Sequence, residues 1–265
     1  MASAEDGQTD LLEFCNYFVE AEDLVEVVEP ERRSMCSRCS RPLSVCWCPY
    51  LPKDPLEVKT NVYILQHPYE TSRRLKTAPM LYHGLAPGKC HIIVGKRFSE
   101  QRYPQVNEIL RAPNTILLYP GVDAMDIQDL PHHYHSFNLV MLDGTWAQAK
   151  NIYCANNILS CLKKVQINDN PVSKYVIRTQ PTDSSLSTLE SAAVAISILE
   201  NRPEIIETLT KPLDALCKFQ MNFGAVQHQS KEYKIENGLW NKPLSKKILK
   251  KKEQEKINCT HQTNS

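Results

Sequence analysis

The chain has 265 residues, of which 42% are hydrophobic and 23% charged, enough to bury the core of one large domain or two modest ones. Lys and Arg number 31 against 30 Asp and Glu, and the net charge of +1 by itself indicates no polyanionic partner. No stretch approaches the roughly 18 apolar residues of a membrane span, and the start of the chain lacks the basic and apolar regions of a signal peptide, so we expect a globular, cytoplasmic protein.

The charges are concentrated at the two ends. Residues 1–30 carry nine acidic residues and no Lys or Arg, and a weakly amphipathic run over residues 11–28 can form one helix. Residues 231–265 carry nine Lys against four Glu. We therefore predict an acidic segment over residues 1–33 and a disordered, lysine-rich tail over residues 241–265, in which Lys246–Lys252 adds either nonspecific RNA affinity or a nuclear address.

Four of the ten cysteines form two close pairs, Cys36 with Cys39 and Cys46 with Cys48, within 13 residues. Four thiolates can surround one Zn²⁺ and leave no position open for a substrate, so we predict a structural zinc knuckle over residues 34–57. Thiols without metal or with a redox role are the alternative. Arg38, Arg41 and Trp47 on the same knuckle either face nucleic acid or pack against the rest of the protein.

Residues 58–240 alternate short β-branched runs with helix-like segments, which predicts an α/β fold with a mainly parallel sheet and helices on both faces. The predicted strands are residues 62–65, 91–94, 115–119, 139–142 and 175–178. The predicted helices are residues 70–81, 103–110, 147–162, 186–199 and 204–226.

Two polar sequences follow predicted strands at the carboxyl edge, where ligands bind in open α/β sheets. Gln66-His67-Pro68-Tyr69-Glu70 follows the first strand, and a capped helix start explains Pro68 and Glu70 but not His67. Tyr119-Pro120-Gly121 follows another strand, and Gly121 allows close approach of the backbone to a ligand, although a Pro-Gly turn needs no ligand.

The most specific element is Leu142-Asp143-Gly144-Thr145-Trp146, between the most apolar strand and a predicted helix. It delivers a carboxylate, a hydroxyl and an indole to one strand end, although Asp143 can equally be a helix cap. Ser187-Thr188-Leu189-Glu190 begins another helix and suits either an anion site or a capping box. With eight glycines, the chain has neither a dinucleotide fingerprint nor a P-loop.

Five motifs, taken in order, resemble the DTW-domain family of tRNA-uridine aminocarboxypropyltransferases over about residues 34–226. They are Cys36-x2-Cys39 with Cys46-x-Cys48, Gln66-His67-Pro68-x-Glu70, Asp143-x-Thr145-Trp146, Ser173-x-Tyr175-x-Ile177-Arg178 and Leu186-Ser187-Thr188-x-Glu190. The resemblance implies a SPOUT-like fold whose knotted C-terminal half binds S-adenosylmethionine without a glycine-rich loop. It also implies transfer of the 3-amino-3-carboxypropyl group to N3 of a tRNA uridine, with release of methylthioadenosine.

Roles for individual residues follow from the resemblance. Asp143 is expected to act as the base or to orient uridine N3, with Thr145 and Trp146 completing the catalytic group and Trp146 forming one face of the base or adenine pocket. The residues expected to bind S-adenosylmethionine are His67, Glu70, Tyr119, Pro120, Gly121, Leu142, Ser187 and Thr188. The candidates for tRNA phosphate contacts are Arg73, Arg74, Lys76, Lys96, Arg97 and Arg178, which an ordinary solvated face explains as well.

Three other functions remain open from the sequence. A SPOUT-like tRNA methyltransferase would use the same co-substrate and leave S-adenosylhomocysteine. A zinc-containing tRNA-binding module would make no product, and a redox protein would use the cysteine pairs without metal. Expected partners are tRNA and S-adenosylmethionine, with no membrane; monomer and homodimer, and the identity of the tRNA and its uridine, stay open.

Overall fold

The structure, a computed structural model, describes residues 33–131, 134–169, 171–182 and 184–244. The run over residues 11–28, nearly all of the acidic segment and most of the lysine-rich tail lie outside these residues. Within the described ranges, no helix combines the length and the apolar character needed to cross a membrane.

Six strands form one sheet in the order β2-β1-β5-β3-β6-β4, and every neighbouring pair is parallel. The strands are β1 (Asn61–Gln66), β2 (Cys90–Val94), β3 (Thr115–Leu118), β4 (Met125–Asp126), β5 (Asn138–Asp143) and β6 (Lys163–Gln166). Four consecutive residues at the start of β5, Asn138–Met141, are buried, as expected for a strand covered on both faces. The predicted parallel α/β fold is confirmed.

Seven helices complete the described fold: α1 (Ala78–Gly84), α2 (Pro104–Arg111), α3 (Trp146–Ala155), α4 (Asn157–Ser160), α5 (Thr188–Glu200), α6 (Glu204–Asn222) and α7 (Lys231–Glu236). Two successive residues of β1 belong to different hydrophobic cores, one on each face of the sheet. Ile64 packs with apolar residues of α1, α5 and α6, whereas Leu65 packs with those of α2, α3 and α4. Helices therefore cover both faces of the sheet.

The cysteine-rich segment packs against the larger core. Trp47 is only 3% exposed and shares that core with Leu51. The ring of Tyr50 meets that of Phe219 in α6 edge to face, with 6.0 Å between centroids. Because Trp47 is buried, the structure excludes the nucleic-acid-facing role that the sequence left open for it.

Three predicted elements differ from the structure. The helix predicted over residues 70–81 is a 3-10 turn at Pro68–Glu70 followed, after a break, by α1, because Pro79 cannot donate a backbone hydrogen bond inside a continuous helix. The helix predicted over residues 147–162 is interrupted at Asn156, whose side chain binds the backbone of Phe98 and Lys96. Residues 175–178 form a turn rather than a strand.

Candidate functional site

A cavity of about 610 Å³ opens at the carboxyl edge of the sheet. It lies beyond the ends of β3, β5 and β6 and against the beginning of α5. The predicted site residues that line it are Glu70, Arg73, Lys76, Tyr119, Pro120, Leu142, Asp143, Trp146, Arg178, Ser187 and Thr188. The fold thus brings most of the predicted co-substrate residues and three of the predicted RNA-binding residues to one place.

Asp143 ends β5 and is held by protein donors on both carboxylate oxygens. Its Oδ2 accepts a hydrogen bond of 2.7 Å from Gln66 Nε2, and its Oδ1 accepts one of 2.5 Å from Thr188 Oγ1. Gln66 lies directly opposite Asp143 in the β1–β5 register, which explains the first contact. Among the described residues, no Lys, Arg or His forms an ion pair with this carboxylate, so its charge is available to a ligand.

Glu70 is a second buried carboxylate on the same cavity. The Pro68–Glu70 turn leaves it 8% exposed, and its Oε1 lies 3.0 Å from Arg73 Nε. Burial and the neighbouring Asp143 raise the pKa of Glu70, while Arg73 and Arg178 act in the opposite direction. The cavity that these two buried carboxylates line is also lined by Arg73, Lys76 and Arg178, so its walls offer charges of both signs to a ligand.

The start of α5 is fixed by an extensive carboxylate network. Ser187 Oγ accepts from the Glu190 backbone N–H at 3.3 Å, and the Glu190 carboxylate accepts from Ser187 N at 2.8 Å, which makes the capping box that the sequence indicated. The same carboxylate accepts from Lys174 N at 2.6 Å and from Ser173 Oγ at 2.9 Å. Glu190 therefore ties the 173–178 loop to the wall of the cavity.

Trp146 and Thr145 differ in what they offer a ligand. Trp146 is 56% exposed at the cavity, so its indole is available for stacking. Thr145 does not line the cavity; its Oγ1 accepts from Gln148 N at 3.3 Å, while Gln148 Oε1 accepts from Thr145 N at 2.7 Å. The structure gives Thr145 the role of helix cap for α3, and a catalytic role for it stays a prediction.

His67 and Gly121 do not line the cavity either. His67 is 4% exposed, and its Nδ1 accepts from the Tyr69 backbone N–H at 3.2 Å, which caps the 3-10 turn. Burial and the nearby Lys96 lower the pKa of His67, which favours the neutral imidazole. Gly121 is exposed, and its N–H donates to Gln166 Oε1 at 3.4 Å. Direct contact of either residue with S-adenosylmethionine stays a prediction.

Most of the predicted RNA-binding cations are divided between two neighbouring cavities. Arg73, Lys76 and Arg178 line it, Lys96 and Arg97 line a smaller neighbouring cavity, and Arg74 is exposed and lines neither. The sequence did not single out Gln166 and Asn168, because the strand that ends beside them was not recognised. It also missed Gln66 as the partner of Asp143, a contact across 77 residues of sequence.

The four predicted metal ligands form one cluster. Their sulfur atoms all lie within 4.8 Å of one another, with Cys36 Sγ 3.8 Å from Cys48 Sγ and Cys39 Sγ 3.5 Å from Cys46 Sγ. Tetrahedral zinc with bonds of about 2.3 Å places its sulfur ligands about 3.8 Å apart, so the geometry fits. Backbone N–H groups of Cys39 and Arg38 lower the pKa of Cys36 to about 6, whereas burial raises the pKa of Cys46 and of Cys48.

Comparison with known proteins gives one family and several relatives. The DTW domain model matches residues 33–221. A Drosophila melanogaster protein named tRNA-uridine aminocarboxypropyltransferase 2 is 47% identical over 220 residues, 83% of this chain and 88% of that protein. The Mus musculus protein of the same name is 46% identical over 231 residues, 86% of this chain and 78% of its own length.

A more distant relative comes from a plant. The Arabidopsis thaliana tRNA-uridine aminocarboxypropyltransferase A is 26% identical over 220 residues, which cover 72% of this chain and 83% of that protein. No solved structure matches significantly. The region that the family model matches contains the four cysteines and every residue that lines the cavity.

Proposed function

The chain belongs to the DTW-domain family, and we propose that it is a tRNA-uridine aminocarboxypropyltransferase, which transfers the 3-amino-3-carboxypropyl group of S-adenosylmethionine to N3 of a tRNA uridine. The identity of 46–47% to enzymes of that name over most of the chain supports the class of reaction. The observation that carries the proposal in the structure is the meeting of Asp143, Glu70 and the exposed indole of Trp146 in one cavity.

The cavity fits the proposed co-substrate in size and in the chemistry of its walls. Its volume of about 610 Å³ is in the range of small-molecule sites. Leu118, Leu142 and Ile177 give it an apolar side that suits an adenosine. The Glu70 carboxylate suits an α-ammonium group, and the beginning of the 13-residue helix α5 suits an α-carboxylate. S-adenosylmethionine supplies a γ-carbon activated by a sulfonium that leaves as a neutral thioether.

We assign to Asp143 the role of binding uridine N3 and accepting its proton. The imide nitrogen is a poor nucleophile until it loses its proton, so the site needs an acceptor within hydrogen-bond reach. Gln66 and Thr188 each donate one hydrogen bond to a different oxygen of the Asp143 carboxylate and thereby fix its orientation relative to the cavity. The remaining lone pairs receive the N3 proton, while the indole of Trp146 stacks on the uracil.

Two further assignments complete the proposal. Cys36, Cys39, Cys46 and Cys48 hold a structural Zn²⁺, since four sulfur ligands leave no position for a substrate. Arg73 and Arg178 at the cavity bind tRNA phosphates, which makes tRNA affinity dependent on salt.

The proposal is tested by incubating unmodified tRNA with the purified protein and S-adenosylmethionine and following both products by mass spectrometry. We expect aminocarboxypropyluridine and methylthioadenosine to form in a ratio of one to one. A methylated nucleoside with S-adenosylhomocysteine would make the protein a methyltransferase. Salt-sensitive tRNA binding without either product, across a complete set of tRNA transcripts, would make it a binding module.

A further inference from the structure

A second cavity of about 410 Å³ lies beyond the end of β2. Its lining includes Pro68, Lys96, Arg97, Arg102 and Tyr103. The Pro68–Glu70 turn separates it from the larger cavity, since Pro68 lines the smaller one and Glu70 the larger. The two cavities are therefore neighbours on the same edge of the sheet.

Tyr69 lies in the middle of that separating turn and is 66% exposed. Its ring meets the buried His67 ring with 5.1 Å between centroids, and Lys96 Nζ lies 5.2 Å from the Tyr69 ring centroid. These contacts hold the tyrosine in place while most of its surface faces solvent. An exposed aromatic ring next to a cation is the combination on which single-stranded nucleic acids stack.

The cations of the smaller cavity have no acidic partners among the described residues. Lys96, Arg97 and Arg102 take part in none of its ion pairs, and Glu100, the acid within this segment, is bound at 2.7 Å by Arg111. Arg38, Arg41 and Arg202, which lie away from this edge, each donate to a carbonyl or carboxylate oxygen. The smaller cavity is therefore a site of uncompensated positive charge.

We propose that the smaller cavity, together with Tyr69, which follows the lining residue Pro68 and contacts the lining residue Lys96, binds the nucleotide adjacent to the target uridine. Tyr69 stacks on the base of that nucleotide, and Lys96, Arg97 and Arg102 hold its phosphate. The inference rests on the proposed function, because it places the target uridine in the larger cavity. It adds a role for Tyr69 and Arg102, and it explains why Lys96 and Arg97 lie outside the larger cavity.

The test compares Tyr69→Ala, Tyr69→Phe, Lys96→Ala and a matched control, Tyr82→Ala. Tyr82 is a 52% exposed tyrosine of α1, and among the described residues no cation lies over its ring, whereas Lys96 lies over that of Tyr69. Affinity for a pool of unmodified tRNA transcripts is measured by fluorescence anisotropy at several salt concentrations. Affinity for S-adenosylmethionine, measured by calorimetry, shows that each variant is folded.

We expect Tyr69→Ala to weaken tRNA binding about 5- to 150-fold, as loss of one stacking platform does, and Tyr69→Phe to stay within about 2-fold of the parent protein. Lys96→Ala reduces the slope of log affinity against log salt by about one, whereas Tyr69→Ala leaves that slope unchanged. Affinity for S-adenosylmethionine stays the same in all four variants.

The proposal is overturned if Tyr69→Ala weakens tRNA binding no more than Tyr82→Ala does. It is also overturned if Tyr69→Phe is as damaging as Tyr69→Ala, since the hydroxyl rather than the ring would then be the contact. If Tyr69→Ala modifies tRNA with an unchanged KM for tRNA, the nucleotide site is rejected and the proposed function stands. If tRNA binding depends on Tyr69 but no aminocarboxypropyluridine forms, the proposed function is rejected and Tyr69 remains a nucleic-acid contact.

Discussion

Asp143 has one protein donor on each of its carboxylate oxygens, and neither donor carries a charge. Gln66 reaches it across the β1–β5 register, and Thr188 reaches it from the first turn of α5. Neutral donors fix the direction of a carboxylate without neutralising it, which is what a proton acceptor at uridine N3 requires. The side chain that the sequence singled out is thus positioned by two residues from other elements.

Replacing Asp143 by Asn tests this role. The amide cannot accept a proton from uridine N3, so we expect the single-turnover rate at saturating S-adenosylmethionine to fall about 100- to 10,000-fold. Rapid-quench sampling of tRNA measures that rate. The matched control is Asp129→Asn, an exposed residue outside the cavity, which leaves the rate unchanged. A full rate in Asp143→Asn would remove the assignment.

Replacing Glu70 by Gln separates stability from binding. Because the pKa of Glu70 is raised in the folded protein, folding disfavours its ionised form. This lowers the free energy of unfolding at pH values above the folded pKa. The effect is absent below about pH 4, where the group is protonated in both the folded and the unfolded state. We therefore expect Glu70→Gln to raise the free energy of unfolding at pH 7, with a gain that disappears as the pH falls, when the ligand-free protein is titrated with urea.

The same substitution removes a charge from the proposed ammonium site. We expect affinity for S-adenosylmethionine, measured by calorimetry at pH 7, to fall about 10-fold or more. Unchanged affinity would mean that Glu70 does not contact the co-substrate. A loss of stability that grows with pH would mean instead that its ion pair with Arg73 outweighs the cost of burial.

Helix α5 depends on one buried carboxylate for its attachment to the rest of the site. Glu190 is 4% exposed and accepts hydrogen bonds from the capping residue Ser187 and from Ser173 and Lys174 in the loop before the helix. Because Thr188, which binds Asp143, is the first residue of the same helix, Glu190 also fixes Asp143 indirectly.

Replacing Glu190 by Ala leaves several buried donors without a partner. We expect the free energy of unfolding, measured with urea, to fall by about 2–5 kcal/mol. The matched variant is Glu204→Ala at the start of α6, where the carboxylate forms an exposed ion pair with Arg202, and it should have little effect. Equal stability of the two variants would show that the Glu190 network is not a structural anchor.

The sequence predicted the strands whose pattern is local and missed those whose pattern is not. The sequence shows an apolar run at each of β1, β2, β3 and β5, and each run can be recognised without knowing which strand lies beside it. β6 carries two lysines and a glutamine among its four residues, and only its place between β3 and β4 makes it a strand. β4 has two residues and no periodicity of its own.

The candidate site divides in the same way. The sequence pointed to Asp143, Trp146 and Glu70 because they lie at or within a few residues of the ends of apolar strands, where ligands bind in such sheets. The contacts of Asp143 with Gln66 and Thr188 span 77 and 45 residues of sequence. They depend on strand register and on the packing of α5, which no local pattern contains. His67 fitted a ligand by position; the structure shows its Nδ1 capping a turn, and contact with a ligand stays a prediction.

At the scale of the whole molecule, the cysteine cluster and the sheet share one core. Trp47 lies between Cys46 and Cys48 in sequence and is buried with residues of β1, α5 and α6. Loss of the metal should therefore affect the unfolding of the whole described domain rather than that of the knuckle alone.

We expect one zinc per chain by atomic spectroscopy and a clear fall in the thermal midpoint, of several degrees or more, after chelation. Cys39→Ser should lose the metal, whereas Cys161→Ser, a change at an exposed cysteine outside the cluster, should keep it. Purified protein without metal, and with a midpoint insensitive to chelators, would contradict a structural zinc.

The central claim is that the aminocarboxypropyl chain, not the methyl group, moves from S-adenosylmethionine to a tRNA uridine. The most direct measurement supplies S-adenosylmethionine labelled with ¹³C either in that chain or in the methyl group and locates the label by mass spectrometry of tRNA nucleosides. We expect chain label in a modified uridine and none from the methyl group, with formation of the product slowed about 100- to 10,000-fold by Asp143→Asn. Methyl label in the tRNA, or no label from either donor, would contradict the claim.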